Sequence, residues 1–385
     1  MKFLFASDSF KGSLTSEQTI ELLTKAAREV FGDCETVGVP VADGGEGTVD
    51  AIIKAEDGEI LSRTVKGPLM DEVSAFYGVF ADTAVIEMSA ASGLPLVPID
   101  KRNPMNTTTY GTGELILDAL DRGYRKLSLA IGGSATNDGG MGCMIALGAR
   151  FLDDEGKELS GCGRDLINVR NIDITGLDKR LKECTITVMC DVKNPLCGED
   201  GATMTFGPQK GATPEILSDL EEGMCNYRDI IKRDFGIDCD AVQGAGAAGG
   251  LGAALAVFLG GRMKPGIEEV LDLIGFNERL EGVDMVVTGE GRTDWQSCFG
   301  KVMQGIGLRA KAENIPVLGL CGSLGENALN ICNYGVSSLM TTVNSPMSLE
   351  DALCNAETLY YEGALRMFRF VKAGMDVGGR GAIRS

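Results

Sequence analysis

The chain has 385 residues, more than one hydrophobic core usually supports, so two domains are expected; 44% hydrophobic and 24% charged residues are ordinary globular proportions. Its 36 basic and 55 acidic residues give a net charge of −19, which opposes a binder of nucleic-acid backbone but leaves room for a small anionic substrate held by local lysine and arginine. No stretch is long and apolar enough to span a bilayer, and the short apolar run before Ser7-Asp8 is no secretion signal, so a cytoplasmic protein with no membrane or nucleic-acid partner is expected.

Three further features narrow the chemistry. There is no histidine, which removes Ser-His and Cys-His nucleophilic systems and leaves carboxylates and lysines for acid–base work. The 12 cysteines form no C-x-x-C pair and read as reduced, mostly buried small residues. Glycine, at 53 residues, is about twice as frequent as usual and implies many tight turns.

In chain order, Lys2–Ala6 reads as a buried strand, followed by a helix capped by Ser16 with Ile20, Leu23, Ala27 and Val30 on one face. A strand at Thr36–Val39, a polar glycine turn and a helix from Gly47 to about Gly58 complete a βαβα beginning. The middle, 59–280, has its own pattern. "VSAFYGVF" and "TAVIEMS" read as hairpin partners around Ala81-Asp82, and "KLSLAIGG", "TITVMCDV" and "ATMTFGP" as further strands. "GAGAAGGLGAALAVFL" is a glycine turn entering a buried helix. Three more buried strands follow in Val283–Asp294, Ile315–Ser323 and Val336–Val343, with helices near Lys301–Ala312 and Ser348–Val371. Residues 373–385 lack an apolar face and read as a loose tail. The expectation is an α/β protein: 1–58 and 281–372 build one doubly wound parallel sheet, and 59–280 is an inserted second α/β domain.

Polar glycine turns recur just after apolar strands: "SDSFKGS", "ADGGEGT", "IGGSATNDGG", "CDVKNPLCG" and "VTGEGRTD". Ligands of open parallel sheets bind beyond the carboxyl ends of the strands. Such turns can offer backbone N–H to phosphate oxygens, cations to offset their charge and carboxylates to Mg²⁺. Taken singly, each has a structural reading: Asn137 or Asp138 caps a helix, Asp8 with Lys11 is a solvated turn, and Asp191 with Lys193 is a surface pair. No Walker A sequence occurs, and Gly244-x-Gly246-x-x-Gly249 does not follow the first strand, so helix packing is favoured there over a dinucleotide.

Six segments in this order, "SDSFKGSLTS", "PVADGGEGTVDA", "AIGGSATNDGGMG", "CDVKNPLCGEDGAT", "GAGAAGGLGAAL" and "VTGEGRTDWQS", resemble the type I glycerate kinase family over essentially the whole chain. One departure is Ser7, where the family usually has proline. The resemblance implies a flavodoxin-like domain interrupted by a second α/β domain. It also implies ATP-dependent phosphorylation of D-glycerate, expected at the 2-hydroxyl, with Mg²⁺; 3-phosphorylation or another small hydroxy acid is the alternative. A hydride-transferring dehydrogenase and a non-catalytic two-domain binder of small anions are the rival readings of the residues alone. A homodimer is compatible with the sequence.

Phosphoryl transfer needs a base, cations and a grip on the substrate. Asp191 is the first choice of base and Asp8 the second, with Lys11 and Lys193 on phosphate oxygens. Arg292, with Ser9, is assigned to the glycerate carboxylate because guanidinium pairs bidentately with it. Gly132, Gly133, Ser134, Thr136, Asn137, Gly139 and Gly140 form the candidate phosphate cradle, and Asp43, Glu46, Glu290 and Asp294 the candidate metal ligands.

Overall fold

Residues 1–45 and 47–382 are described by a computed structural model, which divides into two compact units: Met1–Asp43 together with the chain from Val270 onward, and Gly44–Glu269. Both are α/β. No helix among the described residues is long and apolar enough to cross a membrane.

The first unit holds a five-stranded sheet, ordered Val336–Thr341, Val317–Cys321, Met285–Thr288, Lys2–Phe5, Glu35–Gly38, with every pairing parallel. Numbered along the chain within this unit, the order is 5-4-3-1-2, the flavodoxin-like doubly wound arrangement. Lys2–Phe5 is central, with Phe3 opposite Met285 on one side and Thr36 on the other. Phe3, Leu4 and Phe5 are fully buried, as a parallel strand covered on both faces requires. Phe3 and Phe5 pack with Phe368 of the helix Ala356–Ala382, at ring-centroid distances of 5.4 and 6.0 Å. The helix Val302–Ala312 takes the opposite face, where Gly319 leaves room for Met303.

The helix Ser16–Phe31 is capped by Thr15, not by Ser16: Thr15 and Gln18 form a reciprocal capping box, and the Ser16 hydroxyl donates to the Ser7 carbonyl at 2.7 Å. The C-terminal helix also runs past the expected end at Val371, through Ala382. Lys372 Nζ donates to the Val30 carbonyl at 2.6 Å and ties that turn to the first helix. Residues 383–385 of the expected loose tail lie outside the described residues.

The second unit holds a six-stranded mixed sheet, ordered Arg262–Lys264, Thr185–Met189, Lys126–Ala130, Thr83–Glu87, Glu72–Phe80, Glu59–Lys66. The first four strands are parallel and the last two antiparallel, with the hairpin turning at Ala81-Asp82. The helix Thr48–Ala55, expected with the first domain, packs here: Val49 and Ile53 close over Gly78, and the Val49 N–H donates to Glu87 Oε1 at 2.8 Å. "ATMTF" is a helix, Ala202–Phe206, rather than a strand. Backbone bonds from Thr205 to Gly201 and from Gly207 to Thr203 close its turns; so short a run has no decisive periodicity.

Candidate active site

In the first unit the strand ends converge on one cavity of about 490 Å³. Lys2–Phe5 leads into Asp8, Ser9 and Lys11; Glu35–Gly38 leads to Asp43; Met285–Thr288 leads into Glu290 and Arg292; Val317–Cys321 ends at Ser323, and Val336–Thr341 at Thr342. All these residues line the cavity, as does Lys301 at the N-cap of the helix Val302–Ala312. This is the carboxyl edge where open parallel sheets bind ligands.

The backbone there is tightly held. The Asp8 N–H donates to the Gly289 carbonyl at 2.9 Å, and the N–H groups of Gly322 and Ser323 donate to the carbonyls of Glu290 and Gly291, each at 3.1 Å. Gly289 is required: a Cβ there would stand 2.0 Å from the Leu320 carbonyl oxygen. Glu290 and Arg292 are therefore displayed from a loop with little freedom.

Three carboxylates and three cations share the cavity wall: Asp8, Asp43 and Glu290 with Lys11, Arg292 and Lys301. Burial pushes the Asp8 carboxyl up to about 6, and the neighbouring Asp43 and Glu290 charges add to this; the Ser9 N–H, at 2.7 Å from Oδ1, and Lys11 oppose it. Burial also raises Glu290, against hydrogen bonds from Ser297 and Thr293. A like-charged carboxylate group held at this edge is a hard-oxygen donor set of the type that takes Mg²⁺, and a dication would relieve the repulsion that raises Asp8.

Other expected residues fall elsewhere. Asp294 caps the short helical turn Trp295–Cys298, its Oδ1 accepting from the Gln296 N–H at 2.9 Å and its Oδ2 standing 3.6 Å from Arg292 Nε. It orients Arg292 and does not line the cavity. Glu46 lies outside the described residues. Asp191 and Lys193 belong to the second unit, exposed beyond the strand Thr185–Met189, with Asp191 Oδ1 accepting from the Gly266 N–H at 2.8 Å.

The candidate cradle is also in the second unit, and only its first part is open. Gly132 and Gly133 are exposed, whereas Thr136, Asn137, Gly139 and Gly140 are buried. The Thr136 carbonyl accepts from buried Lys210 Nζ at 2.7 Å, Asn137 Nδ2 donates to Thr203 Oγ1 at 3.1 Å, and the Gly139 N–H donates to the Gly249 carbonyl at 2.9 Å. Asp138 accepts from the Thr109 N–H and hydroxyl, both at 2.8 Å, and from the N–H groups of Gly140 and Gly142 at 3.1 and 3.2 Å. The glycine run at Gly244–Gly249 packs against this loop: a Cβ on Gly249 would lie 2.1 Å from the Thr136 carbonyl oxygen.

Sequence reasoning missed Lys301. Its one signal was a lysine just after Gly300 at a helix start, where a cation faces the unfavourable end of the helix dipole unless something anionic compensates.

The sequence profile of the Glycerate kinase family matches residues 3–372. Glycerate 2-kinase of Escherichia coli K12 is 45% identical over 384 residues, covering 99% of this chain and all of that protein. Glycerate kinase of Bacillus subtilis 168 is also 45% identical, over 92% of this chain and 94% of its own. The crystal structure of a candidate glycerate kinase 2 from Salmonella typhimurium LT2 superposes with a TM-score of 0.89 at 44% identity, over 98% of this chain and 99% of that one.

Proposed function

The chain belongs to the glycerate kinase family, and from that premise we propose that it transfers the γ-phosphoryl group of ATP, with Mg²⁺, to the 2-hydroxyl of D-glycerate. The observation that carries this reading is the first unit's cavity, where three carboxylates and three cations stand together at the carboxyl edge of a parallel sheet. A phosphoryl-transfer site needs this combination, because its work is positioning plus charge stabilisation.

Asp8 is the base the geometry favours over Asp191. Its carboxyl, raised to about 6, is ionised at neutral pH yet basic enough to take a hydroxyl proton as the oxygen attacks phosphorus. Arg292 grips the glycerate carboxylate, held in orientation by Asp294, and Ser9 hydrogen-bonds the substrate beside it. Lys11 and Lys301 offset charge on the transferring phosphoryl oxygens. Asp43 and Glu290 would hold Mg²⁺, which would supply charge neutralisation for the nucleotide's phosphates. Within the glycine loop, the phosphate role stays with the exposed Gly132 and Gly133; buried Ser134, Thr136, Asn137, Gly139 and Gly140 are given to packing.

The test is ADP formation from Mg-ATP with D-glycerate, L-glycerate, other small hydroxy acids and no acceptor, the product's phosphate position being read by ³¹P NMR. D-glycerate-dependent turnover to 2-phosphoglycerate is expected. The 3-phosphate, or turnover only with another hydroxy acid, would replace the regiochemistry or the acceptor, and nucleotide binding without any turnover would overturn the kinase reading.

A further inference from the structure

The second unit carries a cluster that phosphoryl transfer does not use. Cys197 lies on the segment that follows the strand Thr185–Met189, and Glu221 and Cys225 stand one turn apart on the long helix Pro214–Phe235. Their two sulfurs and a Glu221 oxygen lie within 4.8 Å of one another. Cys225 Sγ is 3.7 Å from Glu221 Oε1.

The donors are held in place by groups around them. Glu221 Oε1 accepts from the Gly198 N–H at 2.6 Å, while its Oε2 is buried with no hydrogen-bond partner. A carboxylate oxygen removed from water and left unpartnered is costly unless something cationic meets it. The Cys197 N–H donates to Asp240 Oδ1 at 3.1 Å, and Asp240 Oδ2 accepts from Arg228 at 3.1 Å. Such outer contacts fix the orientation of metal ligands.

We propose that Cys197, Glu221 and Cys225 form a site for a thiophilic divalent cation of the zinc class, with water as the fourth ligand. Two thiolates and one carboxylate suit Zn²⁺ and not Mg²⁺, so this site is separate from the metal of the reaction. Tetrahedral Zn²⁺ would bring the sulfurs to about 3.8 Å from each other, a short closing movement from the arrangement present. Binding releases two thiol protons. The resulting charge of the two thiolates, carboxylate and dication is −1, moderated by the nearby Arg228 guanidinium, which also pairs with Asp229 and Asp240. Burial raises the Cys197 thiol, with Cys225 and Glu221 adding to it, so both sulfurs keep their protons until a metal displaces them. The bound ion would clip the Asp191–Gly201 segment to the long helix.

The experiment takes the full chain, reduced and stripped with a chelator, and titrates it with Co²⁺ and then with Zn²⁺ against a chromophoric competitor. A sulfur-to-cobalt charge-transfer band, displaced by one Zn²⁺ per chain, is expected, with apparent affinity rising about 100-fold per pH unit while two thiol protons are released. C225S should abolish the band, E221Q should weaken binding by roughly 10-fold or more, and C354S, at an exposed cysteine elsewhere, should change nothing. Absence of the band in the unsubstituted chain overturns the proposal whether or not C225S folds. So does a band that survives C225S, or a Cys197–Cys225 disulfide that re-forms and takes up no metal after reduction.

Discussion

The loop after Met285–Thr288 and the loop after Lys126–Ala130 both run from a buried strand into glycines and an acidic residue, but they settle their carboxylates differently. Asp138 accepts four hydrogen bonds from its own unit and is fully buried. Glu290 accepts from Ser297 and Thr293 and feels the Lys301 charge, but it lines a cavity that it shares with two other carboxylates and three cations. A strand-end glycine turn thus works as a packing joint where the protein returns donors to its carboxylate and backbone, even with Thr136 Oγ1 and Asn137 Oδ1 left buried without a partner, and as a ligand site where its charges face open volume. What distinguishes the two is the count of donors that return to the loop.

The largest effect should come from the open side of that comparison. Asp8→Asn is expected to lower kcat by about 100-fold or more and to remove the acid limb of the pH–rate profile near pH 6. Its folded pKa lies above the ordinary value, so Asp8 binds more protons folded than unfolded, and its ionisation costs stability as pH rises from about 4 to about 6. The same variant should therefore melt a few degrees higher at pH 7; parallel loss of activity and stability would remove Asp8 from the role of base, and Asp191→Asn then becomes the decisive variant.

On the packed side, Gly249→Ala should destabilise the protein by about 3 kcal/mol or more in urea unfolding, because its φ is +65° and the new Cβ meets the Thr136 carbonyl. A near-wild-type midpoint would mean the joint is loose. Arg292→Lys should raise the glycerate KM about tenfold and leave the ATP KM nearly unchanged; equal changes in both would take Arg292 off the carboxylate. The smallest effect is Gly132→Ala. Nothing lies within 4 Å of a Cβ there, so stability should move by less than about 0.5 kcal/mol, and any rise in ATP KM would report the loop's remaining phosphate role.

Much of the fold was legible because buried parallel strands read as unbroken apolar runs. "KFLF", "MVVT" and "VLGLC" form three adjacent strands of one sheet. "ATMTF" was not, since five residues show no period that separates helix from strand. The helix Thr48–Ala55 was read correctly as a helix but given to the wrong unit, because its partner Gly78 is a glycine and leaves no apolar signal of the contact. In the candidate site, acidic and basic residues next to glycine stood out, and Asp8, Lys11, Asp43, Glu290 and Arg292 do share a cavity. Lys301 escaped because one lysine before a helix resembles any solvated cap. In the buried half of "IGGSATNDGG", no local pattern reveals that Lys210 and Gly249, far along the chain, engage the Thr136 carbonyl and the Gly139 N–H.

The position of Lys2–Phe5 at the middle of its sheet bears on synthesis. One neighbour, Glu35–Gly38, leaves the ribosome soon afterwards, but the other, Met285–Thr288, follows 280 residues later, from Phe5 to Met285. At 5–20 residues per second that interval is roughly 15 to 55 s. Throughout it, the apolar "KFLF" segment has one unpaired edge, open to a neighbouring nascent chain or to a chaperone. The yield of folded protein should therefore fall with expression rate more steeply than stability alone would require.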